Sequence, residues 1–238
     1  MKDKIGIFDS GIGGFTVLEE IRKLLPNENY IYYADSKNNP YGAKSDEELY
    51  EIVKNVVELL LTKNVKLIVI ACNTATTKCA EKLRSWYKDV LFVGTEPAIK
   101  VASDNNYKNT IVMATPLTIA SLRVHDLIKE NKKNGQNFYL LVCDGLANAI
   151  ENNDLKKIDE ILNNLLGEFK DKNIDSIVLG CTHYPLVKNN ILKILPNVEL
   201  IDGNIGVAHQ VKYLLNKNNL LNKSNKQGTL EIINSLEN

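Results

Sequence analysis

Residues Val65–Ala71 read VKLIVIA, an apolar run broken only by Lys66. A strand with one wet face alternates apolar and polar side chains. A strand apolar at nearly every position is buried on both faces, as inside a parallel sheet covered by helices. The neighbouring chain supports this. Lys4–Phe8, Tyr30–Ala34, Val90–Val93, Thr110–Ala114, Phe138–Val142, Ser176–Leu179 and Glu199–Ile201 are further short apolar runs, and Thr229–Ile233 reads as a last short strand. Between them lie stretches with helical spacing: Phe15–Leu25, Asp46–Leu61, Thr76–Trp86, Thr118–Glu130, Leu155–Phe169, Pro185–Leu192 and Ile205–Leu215. Strand–helix alternation of this kind predicts an α/β fold with mostly parallel sheets.

One run is repeated. Lys66–Thr76 reads KLIVIACNTAT and Asp175–Pro185 reads DSIVLGCTHYP. Each is a buried strand that runs into a cysteine at the mouth of a helix. Ligands of open parallel sheets bind beyond the carboxyl ends of the strands. The expected architecture is two pseudo-symmetric α/β halves with the active site in the cleft between them. Residues 1–96 with 203–238 form the first half and 97–202 the second.

Composition narrows the function classes. The 238 residues are 44% hydrophobic and 24% charged, with 29 Lys+Arg against 29 Asp+Glu. The balance of charge and the lack of a basic, aromatic-interleaved stripe argue against nucleic acid. No apolar run approaches the roughly 20 residues that span a bilayer. MKDKIGIFDS lacks the apolar stretch of a signal peptide, so the expected location is the cytoplasm. The four cysteines, Cys72, Cys79, Cys143 and Cys181, form no CxxC pair, and no metal site is expected from them and the three histidines.

Four polar clusters follow strands: Asp9-Ser10-Gly11-Ile12-Gly13-Gly14, Asp35-Ser36 with Pro40-Tyr41-Gly42, Cys72-Asn73-Thr74, and Cys181-Thr182-His183-Tyr184-Pro185. The first is neither GxGxxG nor a P-loop, and a Gly-rich turn serves phosphates, carboxylates and plain packing alike. The second reads either as a loop that closes over a small polar ligand or as an ordinary surface turn, and in isolation the pattern favours the turn. A thiol at a helix N-terminus has its thiolate favoured by the dipole, whereas a buried thiol is an inert small hydrophobe. Matched placement favours chemistry for Cys72 and Cys181; Cys79 and Cys143 read as inert. Two opposed thiols suit racemisation, because one takes the α-proton from one face while the other returns a proton to the opposite face.

The set FDSGIGG, ADSKNNPYG, ACNTAT and GCTHYP, in this order, closely resembles the glutamate racemase family over about residues 5–210. The resemblance implies cofactor-independent interconversion of L- and D-glutamate, supplying D-glutamate for peptidoglycan, by a homodimer. It makes Cys72 the acid/base group for the D-enantiomer and Cys181 that for the L-enantiomer, with Asp9 and His183 tuning them. It implies substrate binding by Asp9, Ser10, Tyr41, Gly42, Asn73, Thr74, Thr115, Thr118, Glu151, Thr182 and His183. The chain departs from the family pattern at Ala34-Asp35-Ser36, where Gly-Asp-Thr is usual. It departs again after Cys143, where Asp144 places a carboxylate that would repel an acidic substrate if it faced the site. Other readings are an aspartate or dual-specificity racemase, a lyase or isomerase on the same scaffold, and a binding module with inert cysteines.

Overall fold

The structure, a computed structural model, describes residues 3–237. Among these the chain divides into two compact units: one ends at Thr95 and resumes at Asn204, and the other is Glu96–Gly203.

The first unit is built on a five-stranded, fully parallel sheet. Its strands are β1 (Lys4–Asp9), β2 (Asn29–Ala34), β3 (Val65–Ile70), β4 (Phe92–Gly94) and β9 (Leu230–Asn234), in the order β4-β3-β1-β2-β9. The helices α1 (Phe15–Leu24) and α10 (Asn204–Lys217) cover one face, and α2 (Asp46–Thr62) and α3 (Asn73–Trp86) the other. The period-2 geometry of a strand explains the apolar run. Leu67, Val69 and Ala71 enter the core under α1 and α10, while Ile68 and Ile70 enter the core under α2 and α3. Lys66, the one charge in that run, is buried and paired. Its Nζ lies 2.5 Å from Glu28 Oε2 and donates to the Leu220 carbonyl at 2.7 Å. Glu28 Oε1 accepts from Asn222 N–H at 2.7 Å. The pair thus ties the segment between α10 and β9 to the amino end of the sheet.

The second unit carries a four-stranded parallel sheet in the order β6-β5-β7-β8, formed by β5 (Asn109–Ala114), β6 (Asn137–Val142), β7 (Ser176–Leu179) and β8 (Glu199–Ile201). Ile111, Met113, Ile177 and Leu179 pack with α7 (Leu146–Glu151), α8 (Leu155–Leu166) and α9 (Lys188–Ile194). Val112 and Val178 pack on the opposite face with α4 (Ile99–Asp104) and α6 (Leu122–Asn131). The α/β class with a parallel sheet in each half, read from the sequence, is what the structure shows.

Several elements differ from the sequence reading. The helix expected over Thr118–Glu130 is two, α5 (Pro116–Ile119) and α6, because Ser121 Oγ accepts from Val124 N–H and starts a new helix. The helix expected over Pro185–Leu192 opens as a 3-10 turn, Tyr184–Val187, before α9. The short helices α4 and α7 carry too few turns for a periodic signal. No helix among the described residues is long and apolar enough to cross a membrane.

Candidate active site

Strand order locates a site in each unit. From β1 the chain crosses to β2 on one side of the first sheet, and from β3 it crosses to β4 on the other. The connections therefore diverge between β1 and β3, the switch point at which open α/β sheets leave a crevice beyond their carboxyl ends. Asp9 ends β1, and Cys72 lies two residues beyond the end of β3. In the second unit β5 leads to β6 and β7 to β8, so the switch point falls between β5 and β7. There Thr115 follows β5 and Cys181 lies two residues beyond β7.

The two switch points match bond for bond. Ala71 N–H donates to Phe8 O at 2.9 Å, and Gly180 N–H to Met113 O at 2.7 Å. Asp35 N–H donates to Asp9 O at 2.9 Å, and Cys143 N–H to Ala114 O at 2.9 Å. Cys72 and Cys181 are thus equivalent positions, as are Ser10 and Thr115, Asn73 and Thr182, Thr74 and His183, and Asp35 and Cys143.

At the first switch point Asp9 is fully buried and its Oδ2 accepts from Gly14 N–H at 2.9 Å. Only glycine fits at position 14, because a Cβ there would stand 2.6 Å from Asp9 Cβ and 2.7 Å from the Tyr32 hydroxyl. The Gly-rich turn is therefore shaped by close packing around Asp9. Cys72 is the N-cap of α3, its sulfur accepting from Ala75 N–H at 3.5 Å. Ser10, Asn73 and Thr74 are buried around it in the chain, and the Asn73 amide donates to Thr95 O at 3.3 Å. The loop after β2 is pinned by Asp35, whose carboxylate accepts from the Tyr41 hydroxyl at 2.8 Å and from Asn38 Nδ2 at 3.0 Å. Burial first, and then the Asp35 carboxylate, push the Tyr41 phenol well above its usual range, so it remains a donor. Beside it Gly42 faces open space.

At the second switch point Cys181 Sγ lies 3.8 Å from His183 Nδ1, and His183 Nε2 lies 2.7 Å from Glu151 Oε2. With Nε2–H donating to the Glu151 carboxylate, the neutral ring turns its Nδ1 lone pair toward the thiol. Thr182 Oγ1 is 3.5 Å from the same Nδ1. Thr115 caps α5, and its hydroxyl donates to Thr118 Oγ1 at 2.9 Å, with Thr118 fully buried. Asp144 is exposed.

The structure therefore gathers Asp9, Ser10, Tyr41, Gly42, Cys72, Asn73 and Thr74 at the carboxyl edge of one sheet. Thr115, Thr118, Glu151, Cys181, Thr182 and His183 gather at the carboxyl edge of the other. Sequence reading missed contacts here, among them the bond from Glu151 to His183, across 32 residues, and the anchoring of Tyr41 on Asp35. Motif spacing carries no signal for either. No cluster among the described residues offers three His, Cys, Asp or Glu side chains to a metal.

The remaining thiols are of a different kind. Burial pushes both Cys79 and Cys143 up to about 12. At pH 8 such a thiol is ionised in about one molecule in 10^4, and the thiolate is the nucleophile. Iodoacetamide at pH 8 is thus expected to leave Cys79 and Cys143 unmodified in the folded protein and to modify both after unfolding in guanidinium, as read by peptide mass spectrometry. Labelling of either at the unfolded rate in the native protein would contradict this assignment.

Matched parallel units, each with a thiol at its switch point, define a two-unit α/β protein with two equivalent candidate acid/base positions. The chain belongs to the aspartate/glutamate/hydantoin racemase family, whose model, described as Asp/Glu/Hydantoin racemase, matches residues 13–211. It is 46% identical to the glutamate racemase of Clostridium novyi, over 100% of this chain and 93% of that protein. Among solved structures it resembles glutamate racemase isoform RacE1 from Bacillus anthracis, with a TM-score of 0.86 and 29% identity over 99% of this chain and 90% of that one. It also resembles Francisella tularensis glutamate racemase in complex with D-glutamate, with a TM-score of 0.83 and 31% identity over 98% and 88% of the two chains.

Proposed function

We propose that the protein interconverts L- and D-glutamate without a cofactor, with Cys72 and Cys181 as its acid/base pair, and so supplies D-glutamate for peptidoglycan. The observation that carries this reading is the equivalence of the two thiols at matched switch points. Substrate specificity rests on the Clostridium novyi relative. One cysteine, as thiolate, takes the α-proton. The electron pair left on the α-carbon takes a proton from the other cysteine, acting as thiol on the opposite face. Turnover leaves the two thiols with their protonation states exchanged, ready for the reverse reaction. Ser10, Thr74 and the backbone N–H groups at the mouth of α3 are donors for the substrate carboxylate, where charge develops as the proton leaves. Asp9 serves the Cys72 side. The Glu151–His183 pair serves Cys181, His183 Nδ1 being the acceptor within reach of the sulfur.

The test is incubation of each glutamate enantiomer in D2O with purified protein and no added cofactor. The expected product is a mixture of both enantiomers, with deuterium at the α-carbon of every inverted molecule, followed by NMR and chiral chromatography. Unchanged optical purity would remove the reading. Faster inversion of aspartate than of glutamate in the same assay would keep the two-thiol reaction and replace the substrate.

A further inference from the structure

We propose that Thr76 and Thr95 are positioning residues for Cys72, forming a hydroxyl staple that the Cys181 side of the enzyme lacks; this rests on the two-thiol reading above. A threonine inside a helix ordinarily turns its hydroxyl back on the carbonyl three or four residues earlier. Thr76 does not. Its Oγ1 donates to Ile70 O at 3.1 Å, six residues back and outside α3, and accepts from Thr95 N–H at 3.0 Å. Thr95 Oγ1 also donates to Ile70 O, at 3.2 Å, and Thr95 O accepts from the Asn73 amide at 3.3 Å.

The carbonyl two residues before Cys72 therefore holds two hydroxyl donors, and the side chain just after Cys72 is tied to the same threonine. Both threonines are buried, with exposures of 7% and 3%. No water replaces a lost bond cheaply in such a place. Gly94 makes the arrangement possible, since a Cβ there would meet Thr76 Cγ2 at 2.5 Å. Cys72 is thus gripped on both sides by bonds that run to the end of β4, rather than by its own helix alone.

The second unit has no hydroxyl at either matching position. By the matched register, Val69 pairs with Val93 and Val178 with Ile201. Thr76 then corresponds to Pro185 and Thr95 to Gly203, neither of which has a hydroxyl. A staple serving one thiol predicts a lopsided defect. Symmetric loosening of the protein would instead affect the two proton transfers alike.

Thr76→Val keeps the shape and removes the hydroxyl. It is expected to lower kcat for glutamate about tenfold through misplacement of one reacting group. Kinetic isotope effects identify which transfer is slowed. The effect of α-deuterated substrate on kcat/KM should rise for the enantiomer that Cys72 deprotonates. It should fall toward one for the other enantiomer, for which the solvent isotope effect rises instead. Thr76→Ser, which restores the hydroxyl, should return both effects to wild-type values. Equal changes for both enantiomers, or a Thr76→Ser protein as impaired as Thr76→Val, would overturn the proposal. If Thr76→Val is insoluble, Thr95→Val removes one donor to Ile70 O and carries the same test. Failure of both to fold assigns the hydroxyls to stability and sinks the idea. Absence of α-exchange in the wild-type protein would instead bring down the two-thiol reading itself.

Discussion

Cys181→Ala protein is expected to lose racemisation of glutamate by at least about 10^3-fold, roughly 4 kcal/mol of transition-state stabilisation. Cys72→Ala is expected to lose as much. A fixed base reaches one face of a tetrahedral carbon, so either deletion removes one whole proton transfer. The loss alone would also follow from misfolding. What separates the explanations is the reaction each variant keeps. With Cys181 absent, Cys72 still abstracts the α-proton of the enantiomer it faces and returns a solvent deuteron to the same side. In D2O that enantiomer, D-glutamate, should gain deuterium with retention while L-glutamate gains none. Cys72→Ala should show the mirror pattern. Exchange of both enantiomers by either single variant would mean that another group supplies the missing base. Retention of more than about a tenth of wild-type racemisation would exclude the deleted thiol from the proton path.

The placement of both thiols beyond strand ends is legible in the sequence because the pattern that makes a buried parallel strand also tells where it ends. Val65–Ala71 and Ser176–Leu179 are apolar on both faces, so their polar successors must emerge at the carboxyl edge of a sheet. The positions of Cys72 and Cys181 followed from this, and so did the α/β class. Contacts across sequence did not. Solvation periodicity reports which face of an element is dry, and says nothing of which hydroxyl meets which carbonyl. Thr76 opens the helix read over Thr76–Trp86, and Thr95 lies beyond the strand read over Val90–Val93, yet they share the Ile70 carbonyl. Lys66 looked like an interruption of its strand, yet it is a buried partner of Glu28. Glu151 was carried into the substrate-binding set by resemblance, and its carboxylate lies on His183. The short helix that holds it follows Gly145, in a left-handed conformation at φ 73°. A six-residue helix has too few turns to mark itself by periodicity.

His183→Asn is expected to cost about 10^2-fold in kcat/KM, and Glu151→Gln about tenfold. The ordering follows from the hydrogen-bond chain. His183 is the group whose Nδ1 stands 3.8 Å from the Cys181 sulfur, so removing it deletes the acceptor. Glu151 stands one bond further away, on Nε2, and acts through the ring it orients. A glutamine there still presents an oxygen to Nε2–H and preserves the tautomer, while giving up the negative charge that favours an imidazolium. The step affected is the one performed by Cys181, so the isotope pattern should be the reverse of that for Thr76→Val. The α-deuterium effect on kcat/KM should rise for L-glutamate and fall toward one for D-glutamate. If Glu151→Gln proved as damaging as His183→Asn, the carboxylate would be acting by charge on the transition state rather than by fixing a ring. If both variants changed KM alone, leaving kcat and the isotope effects untouched, the pair would be a substrate-binding element. The proton at Cys181 would then have to be managed by the thiol and its helix mouth without an imidazole.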